Sequence, residues 1–195
     1  MRDPVADYDA AFYAAQREGS RRAAALVVPQ VLAWTRARSV VDVGCGTGAW
    51  VEVALAHGVV AGLGIDGAHV PGPCRVLPPT AFLEADLARP LRLDVRFDVA
   101  FSLEVAEHLP PARTDGFVAD LCALAPVVVF SAAVPGQGGD GHVHEPGPFT
   151  RDEPRRALND AHRPVGADGC DPGAARRRPC RPVRGADEGP SWRRA

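Results

Sequence analysis

Lysine is missing altogether: all 22 basic side chains are arginine. With heavy use of alanine, glycine, proline and valine, this is the pattern of translation from very GC-rich DNA. Arginine content alone is therefore a poor argument for nucleic-acid binding. The five cysteines (Cys45, Cys74, Cys122, Cys170 and Cys180) contain no CxxC pair. That removes the usual zinc cluster, and the odd number points to free thiols in a reducing compartment. No apolar run reaches the roughly 18 residues that a membrane span needs, and no basic-then-apolar signal pattern opens the chain. The expectation is a soluble, cytoplasmic protein with no membrane partner. Its 195 residues, 46% of them hydrophobic, suit one domain with a real core.

Charge is distributed unevenly. Residues 1–150 carry 17 acids against 11 arginines, and residues 151–195 carry 7 acids against 11 arginines. The pattern along the chain is equally divided. "YDAAFYAAQREG" predicts a helix grouping Tyr8, Phe12 and Tyr13, either as a lid or simply packed on the domain. Ser20 is a candidate N-cap for a second helix, "RRAAALVVPQVLAWTRA", which Pro29 should kink or divide. Strands and helices then alternate. Strands are predicted over 39–44, 59–66, 81–87, 96–104 and 126–134, with helices over 49–58 and 111–125. "GAHVPGPCRVLPPT" is too rich in proline and glycine for a full helix. Uninterrupted apolar strands joined by helices imply a parallel sheet covered on both faces, a doubly wound α/β fold. Three regions follow: a helical segment 1–38, an α/β unit 39–150, and a tail 151–195.

"VVDVGCGTGAW" (40–50) is the most informative stretch. A buried strand containing Asp42 runs into a turn carrying Gly44, Gly46 and Gly48, then into a helix. Glycines permit positive φ and let a ligand approach the backbone, and the helix start offers free N–H groups. Gly44, Gly46 and Ala49 also satisfy the dinucleotide fingerprint loosely, but an acid beside a pyrophosphate is repulsive, so Asp42 disfavours a nicotinamide oxidoreductase.

With "DVGCGTG" the chain resembles the class I S-adenosylmethionine-dependent methyltransferases, whose first motif is an acid followed by GxGxG. The likeness covers about residues 20 to 145. It implies a Rossmann-like methyltransferase fold and S-adenosylmethionine as cofactor, whose positive charge Asp42 would complement. It further implies that Asp66, ending the second strand, meets the ribose hydroxyls. Asp86 and Leu87, after the third, would read the adenine edge, and Ser102 and Glu104 would close the fourth strand at the cofactor's lip. An isolated strand-end aspartate also serves as a turn or cap residue, and for Asp86 that alternative stays open.

"LEVAEHLP" places Glu104, Glu107 and His108 three and four residues apart, on one side if the stretch turns helically. Two carboxylates and an imidazole, completed by His142 or His144 of "GHVHE", suit Mg²⁺, Mn²⁺ or Zn²⁺. The ExxEH pattern is similar to that of the small-RNA 3′-end 2′-O-methyltransferases and the ubiquinone-pathway O-methyltransferases. Without a metal, His108 or His142 is the candidate general base, with Glu104 positioning substrate.

After Val134 the pattern fails. Thr150 and Glu153 sit at capping-box positions of one more short helix, and from His162 the sequence is Arg/Pro/Gly/Ala low-complexity. The closing strands usual in this fold are expected to be missing, through a frame change in the coding DNA or a naturally disordered tail. The resulting expectation is methyl transfer to a small-molecule acceptor, most readily to oxygen. The alternatives are an inactive truncated remnant, a metal-dependent RNA 2′-O-methyltransferase without a separate RNA-binding segment, and the disfavoured oxidoreductase.

Overall fold

In the computed structural model, residues 10–139 and 142–143 are described. The expectations for Tyr8, His144, the capping-box helix and the low-complexity tail lie outside them, as does the side chain of Phe12. No helix among the described residues is long and apolar enough to cross a membrane.

The first helix, α1, is one uninterrupted element, Ala10–Thr35, with Pro29 inside it. The expected break at Ser20 does not occur. Tertiary packing overrides the local signals here: Ala24, Val28 and Val31, at helical spacing, are buried against Val40, Val99 and Phe101. The helix closes by chemistry the sequence hid. Arg36 takes a left-handed φ of 54°, and its amide donates to Leu32 O at 2.8 Å, the role usually given to glycine.

Five parallel strands follow: β1 (Ser39–Val43), β2 (Ala61–Asp66), β3 (Phe82–Glu84), β4 (Val99–Leu103) and β5 (Val127–Ser131), with α2 (Ala49–Ala56) and α3 (Thr114–Leu124) between them. Their order is β3-β2-β1-β4-β5. Strand β1 lies at the centre and is buried at every position, which is why it reads as an unbroken apolar run. Val41 and Val43 join the core beneath α3, and Val40 joins the core beneath α1. At the start of β1, Asp98 Oδ2 accepts the Arg38 and Ser39 amides at 2.8 and 2.9 Å and the Ser39 hydroxyl at 3.0 Å.

Several boundaries are tighter than the sequence implied. Strand β3 has three residues because Ala85–Leu87 turn away, and β4 starts at Val99 rather than at residue 96. The helix expected from residue 111 begins as a 3-10 turn, Pro111–Arg113, before α3. Consecutive prolines there remove amide donors. Among the described residues the sheet ends at β5, whose Val127 is 38% exposed.

The order of connections reverses between β1 and β4. In open α/β sheets the crevice outside the carboxyl ends of the strands at such a reversal is where ligands sit.

Candidate functional site

A cleft of about 450 Å³ opens at those strand ends. Its floor is the glycine turn. Gly44 has φ +82°, and a Cβ added there would run into the Val105 side chain. Gly48 has φ +92°, and its Cβ would lie 2.6 Å from Leu77 Cγ. Both positions demand left-handed backbone and leave no room for a side chain. Gly46, also at positive φ, lines the cleft.

Two acids stand behind this turn. Asp66, ending β2, accepts the Gly46 amide at 2.6 Å and the Gly67 amide at 2.7 Å, with His69 Nε2 3.4 Å from its Oδ1. Asp42 is buried at 2% exposure, and its Oδ2 has no hydrogen-bond partner. Burial, and then the neighbouring Asp66, push its carboxyl up from 3.8 to about 8. Asp42 is not part of the cleft wall; it lies underneath. Gly48 and Ser102 stay behind the wall too. Ser102 is wholly buried, its hydroxyl without a partner. Cys45 fills the space beside Gly64, and burial raises its thiol above the ordinary value.

Asp86 and Leu87 reach the cleft from the loop after β3. Asp86 Oδ1 accepts the Ala88 amide at 2.9 Å, so the side chain shapes its own turn while facing the cleft. That loop is fastened from behind. Arg113 Nε donates to Leu87 O at 3.0 Å, and Nη2 donates to Arg89 O at 3.0 Å and to Asp120 Oδ2 at 2.5 Å. Asp120 also accepts the Leu91 amide at 2.7 Å. Sequence reasoning missed this pair. The available signal was two opposite charges, Arg113 and Asp120, sharing a helical face with Phe117, Leu121 and Leu124.

The acid and histidine stretch is not one helical turn. Only Ala106–His108 forms a 3-10 turn, and Glu104 stands before it at φ +57°. The expected grouping of four is therefore corrected to three. Ligand atoms of Glu107, His108 and His142 lie within 4.8 Å of one another, and Glu104 is outside the group. Glu107 is fully buried. Its Oε1 accepts the Ala133 amide at 3.2 Å, its carbonyl accepts the Val143 amide at 2.9 Å, and its Oε2 has no hydrogen-bond partner. The His108 and His142 rings meet edge to face, 5.2 Å between centroids. Glu104 takes a hydrogen bond from Ser131 Oγ at 2.7 Å.

Gln16 from α1 and His69 went unnoticed in the sequence as cleft residues, and Tyr13, expected as part of a lid or as a packing residue, lines the cleft as well. The Tyr13 hydroxyl donates to His69 O at 3.1 Å, tying α1 to the loop after β2. Long-range contacts of this kind leave no periodic trace.

No protein-family model matches the sequence, and no curated protein matches it. Solved structures do. DesVI from Streptomyces venezuelae superposes with a TM-score of 0.54 at 21% identity, covering 69% of this chain and 62% of DesVI. Human N-acetylserotonin methyltransferase in complex with SAM superposes with a TM-score of 0.50 at 14% identity, covering 75% and 48%. The chain spans about half the length of several of the structures it matches. The likeness establishes the architecture as the Rossmann-like fold of the class I S-adenosylmethionine-dependent methyltransferases.

Proposed function

We propose that this chain transfers a methyl group from S-adenosylmethionine to a small-molecule acceptor, most readily to an oxygen. One observation carries the reading. A turn of positive-φ glycines, with no room for side chains at Gly44 and Gly48, closes onto the acid of the next strand under a cleft at the chain reversal. Such a cradle suits a ligand held close to backbone, and a positively charged one would draw Asp42 beneath it, whose Oδ2 has no hydrogen-bond partner, from the protonated form that burial favours to the ionised one. In this reading Gly44, Gly46, Asp66, Asp86 and Leu87 hold the cofactor, and Asp42 acts through the turn.

S-adenosylmethionine, when bound, supplies a methyl carbon on a sulfonium, and the electron pair of the broken C–S bond stays on sulfur. The protein's part is alignment and proton removal. Holding the acceptor in line is the larger contribution. In this reading His108, on the cleft wall beside Glu107, takes the acceptor's hydroxyl proton as the new O–C bond forms.

A second reading concerns metal. The tight grouping of Glu107, His108 and His142, together with the unpartnered Glu107 Oε2, is a donor set for Zn²⁺ or Mn²⁺. A cation there would acidify an acceptor hydroxyl. Protein stripped with chelator and titrated calorimetrically with Zn²⁺, Mn²⁺ and Mg²⁺ tests it. Saturable binding that Glu107→Ala abolishes supports the metal, and no heat with any of the three removes it.

The main reading is tested by titrating folded protein with S-adenosylmethionine, S-adenosylhomocysteine and NAD⁺. The first two are expected to bind and the third not. Absence of affinity for both sulfur compounds overturns the proposal. Binding without labelled-methyl transfer to any acceptor identifies a cofactor-binding remnant instead.

A further inference from the structure

We propose that the acceptor is a small molecule carrying a protonated amine, and that Glu104 is the residue that selects it. The inference rests on the methyl-transfer reading above and names its substrate class.

The first support is the charge of the cleft. Among the described residues its walls hold four carboxylates, Asp66, Asp86, Glu104 and Glu107, and no arginine; lysine is absent from the whole chain. Asp66 and Asp86 belong to the β2 and β3 end and are engaged with backbone amides. Glu104 and Glu107 lie at the β4 end, across the reversal from the acids assigned to the cofactor, which leaves that end for the acceptor. Three imidazoles, His69, His108 and His142, line the same cleft, and among the described residues no guanidinium or ammonium is there to answer an acceptor bearing phosphate or carboxylate.

The second support is how Glu104 is held. It is an exposed glutamate at φ +57°, a conformation that glycine or asparagine adopts at less cost. Its amide donates to Ser131 O at 3.0 Å, and Ser131 Oγ returns a hydrogen bond to the carboxylate. The end of β5 thus fixes an acid over the cleft in a strained backbone, while the group of three donor residues does not include it. Independently, the buried Glu107 Oε2 nearby in the same cleft has no donor, as expected where the ligand supplies donors or positive charge. Val105, Leu109 and Val143 complete this end with apolar surface for a compact organic body. Specificity here would come from repelling anions as much as from attracting the amine.

The test uses three phenols of similar shape, tyramine, 3-(4-hydroxyphenyl)propionamide and 3-(4-hydroxyphenyl)propionate, on full-length protein loaded with S-adenosylhomocysteine. Loading is measured first by calorimetry; failure at that step refutes the methyl-transfer reading itself. Affinities of the phenols are then ranked by saturation-transfer NMR. Tyramine is expected to bind about tenfold or more tighter than the carboxylate, with the amide between them. Glu104→Gln and Glu104→Gly, the latter relaxed at this φ, should level tyramine with the amide and leave S-adenosylhomocysteine affinity unchanged. If loaded wild-type protein binds the carboxylate as well as the amine, binds none of the three, or keeps its amine preference in both variants, the inference is wrong.

Discussion

Asp66 reaches back 20 residues to hold Gly46, its Oδ2 accepting the Gly46 amide at 2.6 Å, while Oδ1 takes the amide of Gly67. One carboxylate thereby sets the shape of the glycine turn and of the loop that follows its own strand. The acid lines the cleft and, before any ligand arrives, already serves as the lock on its floor. Asp66→Asn keeps the size and removes one acceptor and the charge. The expected loss of folding stability is about 1.5–3 kcal/mol, the usual worth of hydrogen bonds to a charged group. Urea unfolding measures it, and calorimetry should show weaker binding of S-adenosylmethionine in parallel.

The glycine turn can be tested from the inside. Gly48→Ala introduces a Cβ at φ +92°, directed at Leu77. Left-handed strain alone costs roughly 1–2 kcal/mol, and the contact adds to it. Gly58→Ala is the matched control. It has the same φ of +92° but open space around it, so the strain is present without the collision. Gly48→Ala should lower the urea midpoint further than Gly58→Ala; equal midpoints would mean that Leu77 simply moves aside.

Asp42 predicts a pH dependence of the ligand-free protein. Its carboxyl titrates near 8 when folded, against 3.8 as the ordinary value. Between those values the folded chain keeps a proton that the unfolded chain has released. Stability contributed by this group therefore falls as pH rises through that window and levels off above it, by at most about 1.4 kcal/mol per pH unit. Asp42→Asn, which cannot ionise, should flatten the fall. Urea unfolding of both proteins at pH 5 and pH 8 gives the comparison, and parallel losses in the two would contradict it.

The Arg113–Asp120 pair is buried on both sides, its side chains 8% and 4% exposed. Removing Asp120 strands the Arg113 charge in the core, whereas removing Arg113 leaves Asp120 its ion pair with Arg92 at 2.8 Å. Asp120→Ala should therefore cost about 3–5 kcal/mol and Arg113→Met less. Because Arg113 also holds Leu87 O and Arg89 O, any folded variant should bind S-adenosylmethionine more weakly as well. The double variant should lose less than the sum of the two.

What the sequence showed follows from what leaves a local mark. The parallel sheet was legible because β1, buried at all its positions, has no polar alternation. The glycine turn was legible because side-chain-free backbone allows few substitutes. Asp66 and Asp86 were legible as strand-end acids because one ends β2 and the other lies two residues beyond β3. Other features had no local mark. Whether Ser20 starts a helix depends on burial of Ala24 and Val28 against a distant strand, and Glu104 stands apart from Glu107 and His108 where the backbone turns at φ +57° before a short 3-10 turn and its side chain is held by Ser131. The bond from the Tyr13 hydroxyl to the carbonyl of His69, 56 residues away, left no such mark either. Asp42 was legible as an acid in a strand, but its depth beneath the turn was not.

The parallel register has a practical side. Since every strand runs the same way, the edge where Asp98 grips Arg38 and Ser39 is remote from the cleft. The exposed end of α2 at Ala56 and His57 precedes β2 on that same far edge. A reporter dye or a surface tether introduced through Ala56→Cys would leave the opposite mouth unobstructed, so immobilised protein should still accept soluble ligands.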